Sequence, residues 1–108
     1  GDMRSYSWRL AGLERPLTIR EGERVEITFE NRSMMAHAMH LHGHHFQVVA
    51  IDGRRRPGAM RDTVHVPAMR SVTIAFDADN PGKWPIHCHH AYHMATGMIG
   101  LAQYEGVA

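Results

Sequence analysis

The sequence predicts an all-β fold, a sandwich or barrel built from short antiparallel strands. Apolar and polar residues alternate in several short segments, which is the period of strands with one buried face. Clusters of Gly, Pro, Asn and Asp separate these segments at short intervals, as in sandwiches and barrels. Only residues 89–95 favour a helix, of a turn or two. The 108 residues are expected to form one domain, residues 1–108.

Three strands are predicted in the first half of the chain. In the second of them, Val25, Ile27 and Phe29 fall on one face and charged residues on the other. The third ends at Asp52-Gly53, a pair typical of tight turns. The predicted strands cover residues 16–20, 25–30 and 46–51.

Four further strands are predicted in the second half. Arg54, Arg55 and Arg56 precede them and are bracketed by turn residues, which predicts a solvated hairpin tip. A turn-rich stretch, residues 77–82, separates the second strand from the third. The predicted strands cover residues 62–66, 71–76, 83–88 and 98–104.

Composition excludes several classes of function. The formal net charge is +1 with neutral histidines, so no basic field indicates nucleic-acid binding. No apolar run approaches the ~20 residues of a transmembrane helix. The single cysteine cannot form an internal disulfide. The first residues lack a secretory-signal pattern, and this start is expected to be the cut end of a processed or engineered chain.

Histidine and methionine are abundant, with ten and eight residues. Imidazole and thioether groups suit copper. Most of the histidines fall in two short segments, residues 37–46 and 87–93. These segments are therefore the candidate metal-binding regions.

Strand geometry predicts that each segment offers ligands on two faces. Side chains two residues apart in an extended chain share a face. His40 and His42 therefore point one way, and His37 can point the other. In the second segment His87 and His89 share a face, with Cys88 opposite.

Placed side by side, the two segments would form two metal sites back to back. A thiolate, two imidazoles and a weak thioether make a blue-copper set, available from His37, Cys88, His93 and Met98. An all-imidazole group suited to further copper is available on the other face from His40, His42, His87 and His89.

The two segments resemble the copper motifs in the C-terminal domain of multicopper oxidases, the laccase and copper-resistance group. The first motif reads HAMHLHGH at residues 37–44, and the second runs from His87 through His93 and Met98. Residues 61–67 and 79–84 are also similar to the family, so the resemblance covers nearly the whole chain. One departure is Ala38, where the family usually has proline, and a less rigid loop is expected there.

The resemblance implies a cupredoxin-like Greek-key barrel or sandwich that binds copper. It implies type 2 and type 3 coppers, which form an oxygen-reducing cluster, beside the type 1 copper. The implied ligands are His37, Cys88, His93 and Met98 for type 1, His40 for type 2, and His42, His87 and His89 for type 3.

Other readings of these residues stay open. Cys88 could be a buried inert thiol or a zinc ligand, and Met98 could be a core residue. Met34, Met35 and Met39 could pack the loop or form a rim where substrate or a partner docks. No ligand role is assigned to the remaining histidines, which are expected to be surface or hydrogen-bonded: His44, His45, His65 and His90.

The resemblance gives this chain only half of the cluster, because the other histidines come from an N-terminal cupredoxin domain. The chain could be a laccase-like oxidase domain completed by that partner, taking electrons from a phenol, an amine or a metal ion and reducing dioxygen to water. It could instead be a stand-alone electron-transfer or copper-binding module. Copies of the chain could also associate to share an interfacial copper site. Family habit implies a periplasmic or extracellular location.

Overall fold

The computed structural model describes residues 3–9, 17–88 and 99–106, which form strands joined by turns and loops. No helix occurs within those ranges. The strands are β1 Met3–Arg9, β2 Leu17–Ile19, β3 Arg24–Glu30, β4 His37–Leu41, β5 Phe46–Ile51, β6 Arg54–Arg55, β7 Met60–Arg61, β8 Thr63–Val66, β9 Ser71–Asp77, β10 Lys83–Cys88 and β11 Ile99–Tyr104.

The strands form two sheets. The first has the order β1-β3-β9-β5-β6, with β7 also paired to β5, and the second has the order β2-β11-β10-β4-β8. Most pairs are antiparallel, as predicted, but β1 pairs with β3 and β2 with β11 in parallel. Alternation along one strand does not specify its neighbour, so the direction of these pairs could not be read from the sequence.

Apolar side chains from both sheets make one core. Val25, Ile27 and Phe29 of β3 are buried as predicted, while the residues between them are half-buried. Strand β9 departs from alternation, since every residue from Val72 to Phe76 is buried. The positions that break the alternation carry the small residues Thr73 and Ala75, which expose little surface in a strand flanked by β3 and β5.

The hairpin joining β5 to β6 is stabilised by its turn residues. Asp52 and Gly53 have φ of 49° and 81°, the left-handed values that a two-residue hairpin turn needs. The Asp52 carboxylate accepts hydrogen bonds from the Ser71 backbone N–H at 2.9 Å and from Arg70 at 2.7 Å. The arginines that follow are exposed, which confirms the predicted solvated tip, although Arg54 and Arg55 also pair with β5.

Three sequence predictions have other outcomes. Strands β1, β6 and β7 were not predicted. Ala38, expected in a loop, lies within β4 and pairs with His65 of β8. The helical turn expected at residues 89–95 falls outside the described residues.

The topology places β4 between β8 and β10 in the second sheet. The first histidine segment therefore begins in a strand that is hydrogen-bonded on both sides, directly beside the strand that leads into the second segment. Residues 3–9, 17–88 and 99–106 contain no helix long and apolar enough to cross a membrane.

Candidate metal centre

Strand β4 presents its histidines on opposite faces of the sheet. His37 is 3% exposed, and Met39 and Leu41, which follow it at intervals of two, are also buried. Ala38 and His40 are half-buried. The strand therefore directs His37 towards the core and His40 away from it, as predicted.

His42 lies in the turn just beyond β4, beside His40. The centroids of the two imidazole rings are 4.6 Å apart, and the ring planes meet at 71°. The structure thus brings together the two imidazoles expected to share a face.

The backbone register of β10 against β4 places the second segment beside the first. His87 pairs with His40, and Cys88 pairs with Met39. Directly paired positions on antiparallel strands belong to the same face of a sheet. Position 87 therefore belongs to the outer face with His40, and position 88 to the inner face with His37.

The His37 ring is held by the preceding loop. Its Nε2 lies 3.1 Å from the Ser33 hydroxyl oxygen. That hydroxyl lies 2.7 Å from Oδ1 of Asn31, whose side chain is buried. Sequence analysis did not single out either residue; a polar Asn-x-Ser stretch four to six residues before a candidate ligand was the available signal.

The His40 ring is held by the neighbouring strand. Its Nδ1 lies 2.8 Å from the Asp62 carbonyl oxygen and 3.1 Å from Oγ1 of Thr63. A carbonyl oxygen only accepts, so Nδ1 donates to it and Nε2 carries the lone pair of the neutral imidazole. Metal-binding histidines commonly donate their other ring N–H in this way.

His44 is buried although it has no assigned ligand role. Its Nδ1 lies 3.1 Å from the His42 carbonyl oxygen, and its Nε2 lies 2.6 Å from the Tyr104 hydroxyl. Burial lowers the pKa of His44 and raises that of Tyr104. The expectation of a hydrogen-bonded histidine is confirmed, and the pair anchors the turn that carries His42.

The family model described as multicopper oxidase matches residues 5–105. The chain belongs to the multicopper oxidase family. Copper is the cofactor of that family, and its laccases and copper-resistance proteins are among the relatives of this chain.

Curated relatives extend well beyond the region they share with this multicopper oxidase domain. The chain is 42% identical to multicopper oxidase MmcO of Mycobacterium tuberculosis (strain ATCC 25618 / H37Rv), covering 96% of this chain and 21% of that protein. It is 35% identical to copper resistance protein A of Pseudomonas syringae pv. tomato, covering 97% of this chain and 18% of that protein. The chain thus spans about a fifth of their length.

Solved structures give the same fold. The blue copper oxidase from Nitrosomonas europaea matches with a TM-score of 0.78 and 27% identity, over 84% of this chain and 31% of that one. The two sheets of this multicopper oxidase domain are therefore the predicted cupredoxin-like fold.

Part of the predicted ligand set lies outside the described residues, namely His89, His93 and Met98. Cys88 and His87 are located by backbone register. Within the described part of the chain, no three His, Cys, Asp or Glu side chains are grouped to hold a metal ion. The structure thus gives the positions of the first histidine segment, and the full ligand sets stay predictions.

The donor types of the multicopper oxidase domain fit copper. Thiolate, imidazole and thioether suit copper, and donation from Nδ1 of His40 to the Asp62 carbonyl leaves Nε2 as the nitrogen with the lone pair in the neutral ring. Of the other candidates, Met39 is a core residue, while His45 and His65 are exposed. Met34 and Met35 are 84% and 52% exposed, which favours the docking rim over packing of the loop.

Proposed function

We propose that residues 1–108 form one cupredoxin domain that holds a type 1 copper and half of an oxygen-reducing cluster. The observation that carries this proposal is strand β4, which directs His37 inwards and His40 outwards within four residues. The backbone register of β10 supports it, because position 88 pairs with Met39 on the inner face and position 87 with His40 on the outer face.

The proposed type 1 ligands are His37, Cys88, His93 and Met98. Copper held by such a set supplies one-electron transfer with little rearrangement of its ligands. Burial of His37 supports this role, since it excludes water from one side of the site. Met34 and Met35 are exposed residues of the loop that leads to His37, and we assign them to the rim where an electron donor docks.

The proposed outer-face ligands are His40 for type 2 copper, and His42, His87 and His89 for type 3 copper. The close His40 and His42 rings support this assignment. A cupredoxin domain from the rest of a longer oxidase would supply the remaining histidines, in keeping with the limited share of the relatives that the chain spans. The segment from residue 87 to 89 would connect the two sites.

The complete protein would take electrons from a phenol, an amine or a metal ion and reduce dioxygen to water. A periplasmic or extracellular location is proposed on family resemblance alone.

Copper loading of the full chain tests the type 1 site. We expect an intense visible thiolate-to-copper band, which Cys88→Ser abolishes and His37→Ala abolishes or strongly weakens. His45→Ala is the matched control, because His45 lies in the same segment but is exposed, and it should leave the band unchanged. A colourless copper complex of the unmodified chain would show that the ligand assignment is wrong.

A further inference from the structure

The loop before β4 contains a hydrogen-bond network that ends on His37. Asn31 begins the network and is 2% exposed. Its Nδ2 lies within 2.7–3.1 Å of the carbonyl oxygens of Met35, Val66 and Pro67. Its Oδ1 lies 3.0 Å from the Ser33 backbone nitrogen and 2.7 Å from the Ser33 hydroxyl.

The surroundings of Asn31 fix the orientation of its amide. Carbonyl oxygens only accept hydrogen bonds, so the atom facing three of them must be the NH₂ group. The flipped amide would set its oxygen against all three and leave the Ser33 N–H without its acceptor. Oδ1 therefore faces Ser33 as an acceptor.

The Ser33 hydroxyl has only one hydrogen to donate. Its nearest acceptor is Oδ1 of Asn31 at 2.7 Å, and the Met35 carbonyl oxygen lies at 3.0 Å. Donation to His37 instead would leave the Ser33 oxygen facing two other acceptors without a hydrogen. The hydroxyl therefore accepts from the Met35 backbone N–H at 3.3 Å and from Nε2–H of His37 at 3.1 Å.

We propose that Asn31 and Ser33 are positioning residues, which hold His37 as the tautomer protonated on Nε2 with Nδ1 as its copper-binding nitrogen. The inference rests on the proposed type 1 role of His37. The buried Asn31 amide fixes the direction of the Ser33 hydroxyl, and the hydroxyl in turn fixes which nitrogen of the His37 ring carries the proton. Asn31, six positions before His37, therefore decides which ring nitrogen can bind copper. His40 is held in the opposite tautomer by the Asp62 carbonyl, and the two faces of β4 thus present different ring nitrogens.

Loss of the Ser33 hydroxyl should loosen the ring without removing the ligand. Nε2–H of His37 would lose the Ser33 oxygen as its acceptor, so the preference for the proton on Nε2 over Nδ1 would weaken. Removing a hydrogen-bond partner behind a metal-binding histidine typically weakens metal affinity about 10–100-fold. Ser33→Thr keeps a hydroxyl and should therefore keep both the His37 tautomer and the copper affinity.

Nuclear magnetic resonance of the copper-free, ¹⁵N-labelled full chain tests the network directly. Long-range ¹H–¹⁵N correlations of the His37 ring should show Nε2–H in the unmodified chain and in Ser33→Thr. In Ser33→Ala they should show a mixture of tautomers. Ser7→Ala is the matched control, because Ser7 lies in β1 and is exposed. An Nδ1–H ring in the unmodified chain, or an unchanged tautomer in Ser33→Ala, would overturn the proposal.

Copper binding tests the consequence for the site. Competition with a chromophoric Cu(I) chelator should show about tenfold weaker affinity for Ser33→Ala, with Ser33→Thr and Ser7→Ala close to the unmodified chain. The visible band should persist but shift in Ser33→Ala. Equal affinity and an unshifted band in Ser33→Ala would contradict the positioning role. If the unmodified chain gives no such band, the proposed function fails, while the copper-free tautomer still decides the network.

Discussion

At the scale of single residues, hydrogen-bond direction carries most of the information about the site. The pair formed by His44 and Tyr104 is an example. Nδ1–H of His44 donates to the His42 carbonyl, so Nε2 accepts from the Tyr104 hydroxyl at 2.6 Å. The same hydroxyl accepts from the Asn80 backbone N–H at 3.1 Å. One tyrosine oxygen therefore ties β11 to the turn beyond β4 and to the loop before β10.

Replacing Tyr104 by phenylalanine should destabilise the chain. Nε2 of His44 and the Asn80 N–H would lose their shared partner at a buried site, which costs roughly 1–3 kcal/mol. The free energy of unfolding in urea measures the effect.

Tyr6→Phe is the matched control for this substitution. The Tyr6 hydroxyl donates to the Thr18 carbonyl oxygen at 2.6 Å in contact with solvent, where water can replace it, so a loss below about 1 kcal/mol is expected. Equal losses of unfolding free energy in the two variants would show that the buried His44–Tyr104 hydrogen bond contributes no more than the exposed Tyr6 hydrogen bond.

At the scale of elements, the turn from β4 to β5 is shaped by a close contact. Gly43 has φ of +78°, and a Cβ added there would lie 2.6 Å from a ring carbon of Trp84. The Trp84 indole N–H donates to the Asn80 carbonyl oxygen at 2.7 Å, which fixes the ring. Glycine is therefore required at position 43 for both conformation and space.

Gly43→Ala should be more destabilising than Gly53→Ala. Gly53 has a similar φ of +81°, but an added Cβ there meets no described atom within 4 Å. The Gly53 variant should lose about 1–2 kcal/mol from the left-handed backbone alone, and the Gly43 variant about 1–3 kcal/mol more from overpacking. Urea unfolding of both variants measures the difference, and equal losses would rule out the Trp84 contact as its cause.

The β5–β6 hairpin should respond to acid through Asp52. The Ser71 N–H, and then Arg70, lower the pKa of Asp52 below 3.8. The charged form is thus favoured by folding, and its contribution is present above that value and lost as pH falls through the lower folded pKa. Asp52→Asn keeps a residue suited to the turn. The difference in unfolding free energy between the two chains should narrow from pH 7 towards acid, and a constant difference would contradict this account.

The strands that could be predicted are those whose own side chains define them. Val25, Ile27 and Phe29 mark β3 without reference to any partner, and the inward His37 and outward His40 follow from the same period of two. Strand β1 could not be found this way, because its identity depends on pairing with β3 across the chain. The Asn31 network could be predicted only in part. The spacing of Asn31, Ser33 and His37 is visible in the sequence, but the contacts of Asn31 with the carbonyl oxygens of Val66 and Pro67 arise only when the sheets fold.

At the scale of the whole molecule, one cupredoxin domain carries candidate copper ligands on two opposite faces of the same sheet. The inner face would be complete within the chain, whereas the outer face would need histidines from elsewhere. Because the relatives are about five times longer, those histidines are most simply supplied by another domain.

Copper counting therefore separates the alternatives. We expect about one tightly bound copper per chain, because the incomplete ligand set on the outer face should bind copper weakly. We also expect no oxygen consumption with a phenolic donor. Metal analysis after dialysis, an oxygen electrode and the solution mass together check this. Clearly more copper with an associated mass would favour an interfacial site between copies, and oxygen turnover by a monomer would contradict the need for a partner domain.

The opposite facing of His37 and His40 also limits how β4 can change through evolution. An insertion or deletion of one residue between them would reverse the parity of the strand, turning one histidine to the wrong face and shifting its alignment with β10. Substitutions within the strand leave that parity intact. If His37 and His40 serve two metal sites as proposed, their fixed odd spacing ties the two sites together, so that β4 can accept substitutions but not insertions or deletions between them.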